Sequence, residues 1–180
     1  MAKPGSVGRP AAGVELRLGP GEEIQVRSHM LADGYFRNPA ATGAAFSEGW
    51  YHTGDRGALD EDGYLYVTGR LKDIIRSAGE TVSPTDVERA LADCPGVAEV
   101  AVVGIPDATW GEIVCAVVMA APDAPPPTLE ALRGHCAERL ASYKLPRRLE
   151  LIDRIPRPAA TNQIQRPLIV EWILSGGNSP

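Results

Sequence analysis

Two residue types that together grip a sugar lie fifteen positions apart in this sequence. Asp55 ends the run Tyr51-His52-Thr53-Gly54-Asp55, and Arg70 sits in Gly69-Arg70-Leu71-Lys72-Asp73. A carboxylate accepts from two vicinal ribose hydroxyls at once, and a guanidinium donates to the same hydroxyls or to a phosphate. As a bare tripeptide, Thr53-Gly54-Asp55 is more often a turn that closes a strand. Its pairing with Arg70 across a single hairpin favours a nucleotide-binding corner. The chain then leaves through the polar step Lys72-Asp73, which suits a hinge between domains as well as a solvated turn. Ser77-Ala78-Gly79-Glu80 follows. Small residues there would let an extended ligand run close to the backbone, although a tight loop before a helix has the same composition.

The elements that must position these residues are short. Val14–Leu18 and Glu23–Ser28 alternate apolar and polar side chains around Gly19-Pro20-Gly21-Glu22, which predicts a hairpin. Asn38-Pro39 opens a helical stretch to Phe46, with Asn at the cap and Pro in the first turn. A strand is expected from Gly49 to Thr53, ending at Gly54-Asp55. Asp62-Gly63 is the turn of a second hairpin between Ala58-Leu59 and Tyr64–Thr68. After Arg70 the pattern changes. Asp73–Arg76 is a short strand, and Ser83-Pro84-Thr85-Asp86 starts a helix stopped by Pro95-Gly96. Val97–Ile105 and Ile113–Ala121 are apolar strands. Thr128 caps a helix with Leu129, Leu132, Cys136 and Leu140 at helical spacing, and Leu149–Ile152 is a further strand. Leu168–Leu174 is expected to form a last helix, with Pro167 at its first turn. The predicted fold class is α+β: a small β subdomain over 1–70, then a compact α+β domain over 71–180, with helices on one face of a mixed sheet.

Composition excludes several functions. The 180 residues are 44% hydrophobic and 23% charged with net charge −5, and no basic face points to nucleic acid. Cys94, Cys115 and Cys136 lack CxxC spacing and sit among apolar residues. Buried free thiols in a reducing cytoplasm are expected, with no metal site and no disulfide framework. No apolar run approaches the roughly 20 residues that span a bilayer. His29, His52 and His135 are scattered, without a paired nucleophile. Trp110 and Trp172 read as packing residues.

In order and spacing, these segments resemble the adenylate-forming superfamily of acyl-CoA synthetases, peptide-synthetase adenylation domains and firefly luciferase. The likeness runs through Tyr51–Asp55, Asp60–Tyr64, Gly69–Asp73 and Ser77–Pro84, then through Val102–Asp107, Trp110-Gly111-Glu112 and Tyr143-Lys144-Leu145-Pro146. Lys72 and Ser77-Ala78-Gly79-Glu80 look more like an acyl- or aryl-CoA ligase than a peptide synthetase. The resemblance implies activation of a carboxylic acid by ATP, with Mg2+, to an acyl-adenylate, and then displacement of AMP by CoA after the small domain swings. By position, Asp55 and Arg70 would hold the ribose, Lys72 would be the hinge, and Ser77, Ala78, Gly79 and Glu80 would line the CoA pantetheine path.

Two departures follow. The phosphate loop, adenine pocket and acyl pocket of the family have no counterpart, so the chain is expected to hold only the tail of the large domain. Thr161-Asn162-Gln163-Ile164 occupies the place of a Thr-Gly-Lys-Ile motif, which puts Gln163 at the position of the adenylation lysine, and Pro167 replaces a usual basic residue. A glutamine brings no charge to the developing anion, a loss on the order of 3 kcal/mol, or about a hundredfold in rate. The chain alone is therefore expected to be inactive. The alternative is a non-catalytic module that binds a carrier protein, a partner ligase or CoA.

Overall fold

A computed structural model describes residues 3–159 and 162–176. The chain divides into two units, Met1–Lys72 and Asp73–Pro180.

The first unit is built on one strand. β1 (Glu15–Leu18) and β2 (Glu23–Arg27) form the expected antiparallel hairpin, with Leu16 opposite Val26. Helix α1 (Pro39–Ala45) is capped by Asn38, whose Oδ1 accepts the Ala41 N–H at 3.0 Å. After the two-residue β3 (Phe46–Ser47) comes β4 (Trp50–Leu59), which pairs with β2, with β3 and with β5 (Leu65–Arg70). The β4–β5 turn is held by Asp60, whose Oδ1 accepts from the Asp62 and Tyr64 N–H groups at 3.0 and 2.9 Å. Gly63 takes the positive φ of 76° that the turn requires. One expectation fails. The strand does not end at Gly54-Asp55 but continues through them to Leu59.

The second unit opens with a hairpin, β6 (Ile75–Ser77) and β7 (Glu80–Val82); the first strand starts at Ile75 and not at Asp73, which lies in a 3-10 turn, and the second is not expected from the sequence. Helix α2 (Pro84–Leu91) leads into β8 (Val97–Asp107) and β9 (Gly111–Ala120), paired antiparallel along their whole length. Helix α3 (Leu129–Ala137) starts where Thr128 Oγ1 accepts the Ala131 N–H at 3.1 Å. β10 (Arg148–Leu151) then joins β9 in parallel, so the sheet is mixed. Helix α4 (Arg166–Leu174) starts two residues before the expected point, with Pro167 in its first turn.

Helices cover both faces of this sheet, which corrects the expectation of one. Val100, Val102, Val114, Ala116 and Val118 point to α2 and α3, where Val87, Leu91, Leu132 and Cys136 meet them. The alternate residues Ala101, Val103, Ile105, Cys115 and Val117 face Ile155 and the α4 residues Ile169 and Ile173. A strand buried on both faces must be apolar at every position, which explains the continuous Val/Ala runs of β8 and β9. All three cysteines are buried and free, and burial pushes the Cys115 thiol up to about 12. Among the described residues, no helix is long and apolar enough to cross a membrane.

Candidate functional site: a bulged corner, a junction and two loops

Asp55 and Arg70 meet. They are direct cross-strand partners in the β4–β5 ladder, and Arg70 Nε lies 3.0 Å from Asp55 Oδ1. Their side chains are 31% and 42% exposed, so the pair remains open to a ligand.

What presents Asp55 is a bulge. Against β2, the register passes from Gln25 opposite His52 to Glu23 opposite Arg56. Thr53, Gly54 and Asp55 therefore answer Ile24 alone, and the extra residues are pushed out of the β2–β4 ladder. Gly54 takes φ 70°, a left-handed conformation that costs a residue with Cβ about 1–2 kcal/mol. The Thr53 hydroxyl donates to the Ile24 carbonyl at 2.7 Å and accepts the Asp55 N–H at 3.0 Å.

Beneath the bulge lies a buried polar network. Glu23 Oε1 accepts the Gly54 N–H at 3.1 Å, and its Oε2 lies 2.8 Å from His52 Nδ1. Gln25, 1% exposed, donates through Nε2 to Glu23 Oε2 at 3.0 Å and accepts from Arg17 Nε at 2.7 Å. Burial acts to raise the Glu23 pKa, but hydrogen bonds from Gln25, His52 and the Gly54 N–H outweigh it and hold the carboxyl below its ordinary range. Glu23, Gln25 and His52 support the bulge from below, a role for which the sequence did not single them out. Alternation marks Glu23 and Gln25 as polar strand positions and gives no sign that their face is buried.

Lys72 is exposed in a single 3-10 turn, Leu71–Asp73, between β5 and β6. Ser77, Ala78, Gly79 and Glu80 form the β6–β7 turn. Ser77 is buried, and the other three are exposed. Ala78 and Gly79 have φ of 55° and 82°, the two consecutive positive values of a type I′ turn. The space where a Gly79 side chain would stand is open. The Ala78 N–H donates to the Trp110 carbonyl at 2.9 Å, and the Arg147 guanidinium stacks 3.8 Å from the Trp110 ring centre. Trp110 keeps 37% of its surface exposed.

Gln163 is exposed on the loop between β10 and α4. That loop is closed at its base by the Gln165 N–H donating to the Pro156 carbonyl at 3.0 Å. Arg157 donates to the Asn162 carbonyl at 2.7 Å and pairs with Glu99, while Ile164 packs into the core under α4. Thr161, the first residue of the motif, lies outside the described residues.

Known proteins share this architecture. Residues 86–161 match the AMP-binding enzyme C-terminal domain. The long-chain-fatty-acid–CoA ligase FadD13 of Mycobacterium tuberculosis is 41% identical over 167 residues, which are 87% of this chain and 33% of that protein. The 2-succinylbenzoate–CoA ligase of Geobacillus kaustophilus is 42% identical over 93% of this chain and 36% of its own length. Among solved structures, the o-succinylbenzoate CoA synthetase of Bacillus subtilis, in complex with its acyl-adenylate intermediate, superposes with a TM-score of 0.84. It shares 36% identity over 92% of this chain and 35% of that one. The chain thus spans about a third of the length of the relatives it matches. Through residues 86–161 it belongs to the AMP-binding enzyme C-terminal domain family of the adenylate-forming enzymes.

Proposed function

We propose that this chain is the C-terminal part of an ATP-dependent carboxylic acid:CoA ligase. The observation that carries the reading is the Asp55–Arg70 pair, part-exposed at 3.0 Å in the β4–β5 ladder, where a bulge interrupts the pairing of β4 with β2. In the whole enzyme, a carboxylate oxygen attacks the α-phosphorus of ATP and pyrophosphate leaves. The CoA sulfur then attacks the acyl carbonyl, and AMP leaves with its electron pair on the phosphate. Asp55 and Arg70 would hold the ribose hydroxyls through both steps. Residues 1–70 would end the large domain, and 71–180 would be the mobile domain, turning about Lys72. The open space above Gly79 and the bare backbone at Ala78 would pass the pantetheine arm, flanked by Ser77 and Glu80. Mg2+ would travel with the ATP phosphates, as the resemblance implies.

Gln163 occupies the place of an adenylation lysine and brings no charge, so adenylation would be the impaired step and the chain alone inactive. This position also favours the second reading, a non-catalytic module for a carrier protein, a partner ligase or CoA. The name of FadD13 suggests fatty-acid metabolism, and three buried free thiols suit a cytoplasmic location.

A chimera separates the two readings. It would join this chain to the large domain of the 2-succinylbenzoate–CoA ligase relative and receive preformed succinylbenzoyl-adenylate and CoA. The ligase reading expects thioester, lost with Gly79→Leu. Thioester formation no faster than without protein would leave the binding module as the better account.

A further inference from the structure

Arg166 opens α4, three residues after Gln163, and its side chain is 17% exposed. Its guanidinium spans three elements. Nε donates to the Val102 carbonyl of β8 at 3.1 Å, Nη1 to Asp73 Oδ2 at 3.2 Å, and Nη2 to Glu88 Oε1 of α2 at 2.6 Å. Glu88 Oε1 also accepts the Val102 N–H at 2.9 Å, so the same carboxylate is fixed from two sides. Asp73 and Glu88 are each 16% exposed.

Stability alone accounts poorly for such a group. Three charges largely withdrawn from water carry a desolvation penalty that their attraction repays only with good geometry, and an apolar cluster of equal volume often does as well or better. What a guanidinium offers that an apolar cluster does not is direction: a rigid planar fork holds several partners in one orientation. Asp73 is the first residue of the second unit and follows Lys72 directly. Arg166 is the first residue of α4 and ends the loop that carries Gln163, whose other end is tied at Pro156.

We propose that Arg166 is a positioning residue that clamps the first residue of the mobile unit to the end of the Gln163 loop. The clamp bounds rotation at Leu71–Lys72 and makes any reorientation of that junction carry the Gln163 loop with it. This rests on the reading of Lys72 as the hinge.

Amide hydrogen exchange of the whole chain, followed by mass spectrometry, tests it in the wild type and in Arg166→Gln, Arg166→Lys and Asp73→Asn. Losing a charge-assisted hydrogen bond should speed exchange by about tenfold or more where the clamp acts. Arg166→Gln should do so over 73–77 and 162–168 and leave 114–118 in β9 unchanged. Asp73→Asn should speed both segments, although it alters only one of them. Arg166→Lys, which keeps one charge between the two carboxylates, should recover most of the protection. A uniform rise across the second unit, or acceleration of 73–77 alone in Asp73→Asn, would overturn the clamp. If Arg166→Gln does not fold, the other two variants decide. The hinge has its own readout. Fast wild-type exchange at 71–72 supports it, and protection there equal to that of β5 would overturn the hinge reading while the two-segment coupling is judged from the variants.

Discussion

Glu23 accepts a backbone N–H from the residue that precedes Asp55, and it does so with a side chain only 11% exposed. Replacing it with Gln leaves one oxygen for the Gly54 N–H but turns an amide donor toward the Gln25 donor and His52. Burying mismatched donors costs about 1–3 kcal/mol, so Glu23→Gln should lower unfolding stability by that amount in urea titrations at neutral pH. The wild type should also show an acid limb. The folded-state pKa of Glu23 lies below its unfolded value, so its contribution is fully present above about pH 4.3 and is lost as pH falls through the lower folded value. Glu23→Gln should remove that component of the acid limb. An unchanged stability difference between wild type and variant from neutral pH to about pH 3 would contradict it. Asp55 and Arg70 are legible in the sequence because a single hairpin with an Asp-Gly turn fixes their register. Glu23, Gln25 and His52 are not legible, since their meeting depends on two strands separated by α1 and on a bulge that no alternation pattern announces.

Among the elements, the helices and the two long strands of the second unit are read correctly from caps and apolar spacing. The errors cluster where a strand departs from regularity. β4 runs through Gly54 because a bulge absorbs the positive φ that otherwise signals a turn. β7 escapes notice because Glu80, Thr81 and Val82 are too few to show a period. α4 lies on the far face of the sheet because alternate residues of β8 and β9 are apolar on both sides, a pattern that one-sided packing does not require. The β6–β7 turn makes an element-scale prediction. Ala78 holds φ 55°, where a Cβ is strained. Ala78→Gly should stabilise the chain by about 0.5–1 kcal/mol, because relief of the left-handed strain exceeds the entropy that glycine adds. A shift of the urea midpoint to lower concentration would contradict it.

For the whole molecule, the decisive fact is that the chain covers about a third of its relatives' length. On the proposed reading, the ribose corner, the junction at Lys72, the turn at Gly79 and the Gln163 loop supply half of an active site, and the pockets for base, phosphates and acid lie in the large domain. On the same reading, Gln163 stands where a lysine would stabilise the adenylation transition state. The most direct measurement is acid-dependent pyrophosphate exchange by the chimera with the 2-succinylbenzoate–CoA ligase large domain, with Gln163 and with Gln163→Lys. Gln163→Lys should bring a gain on the order of a hundredfold or more, with thioester formation from preformed adenylate little changed. Equal exchange rates for the two proteins would place Gln163 outside the catalytic position.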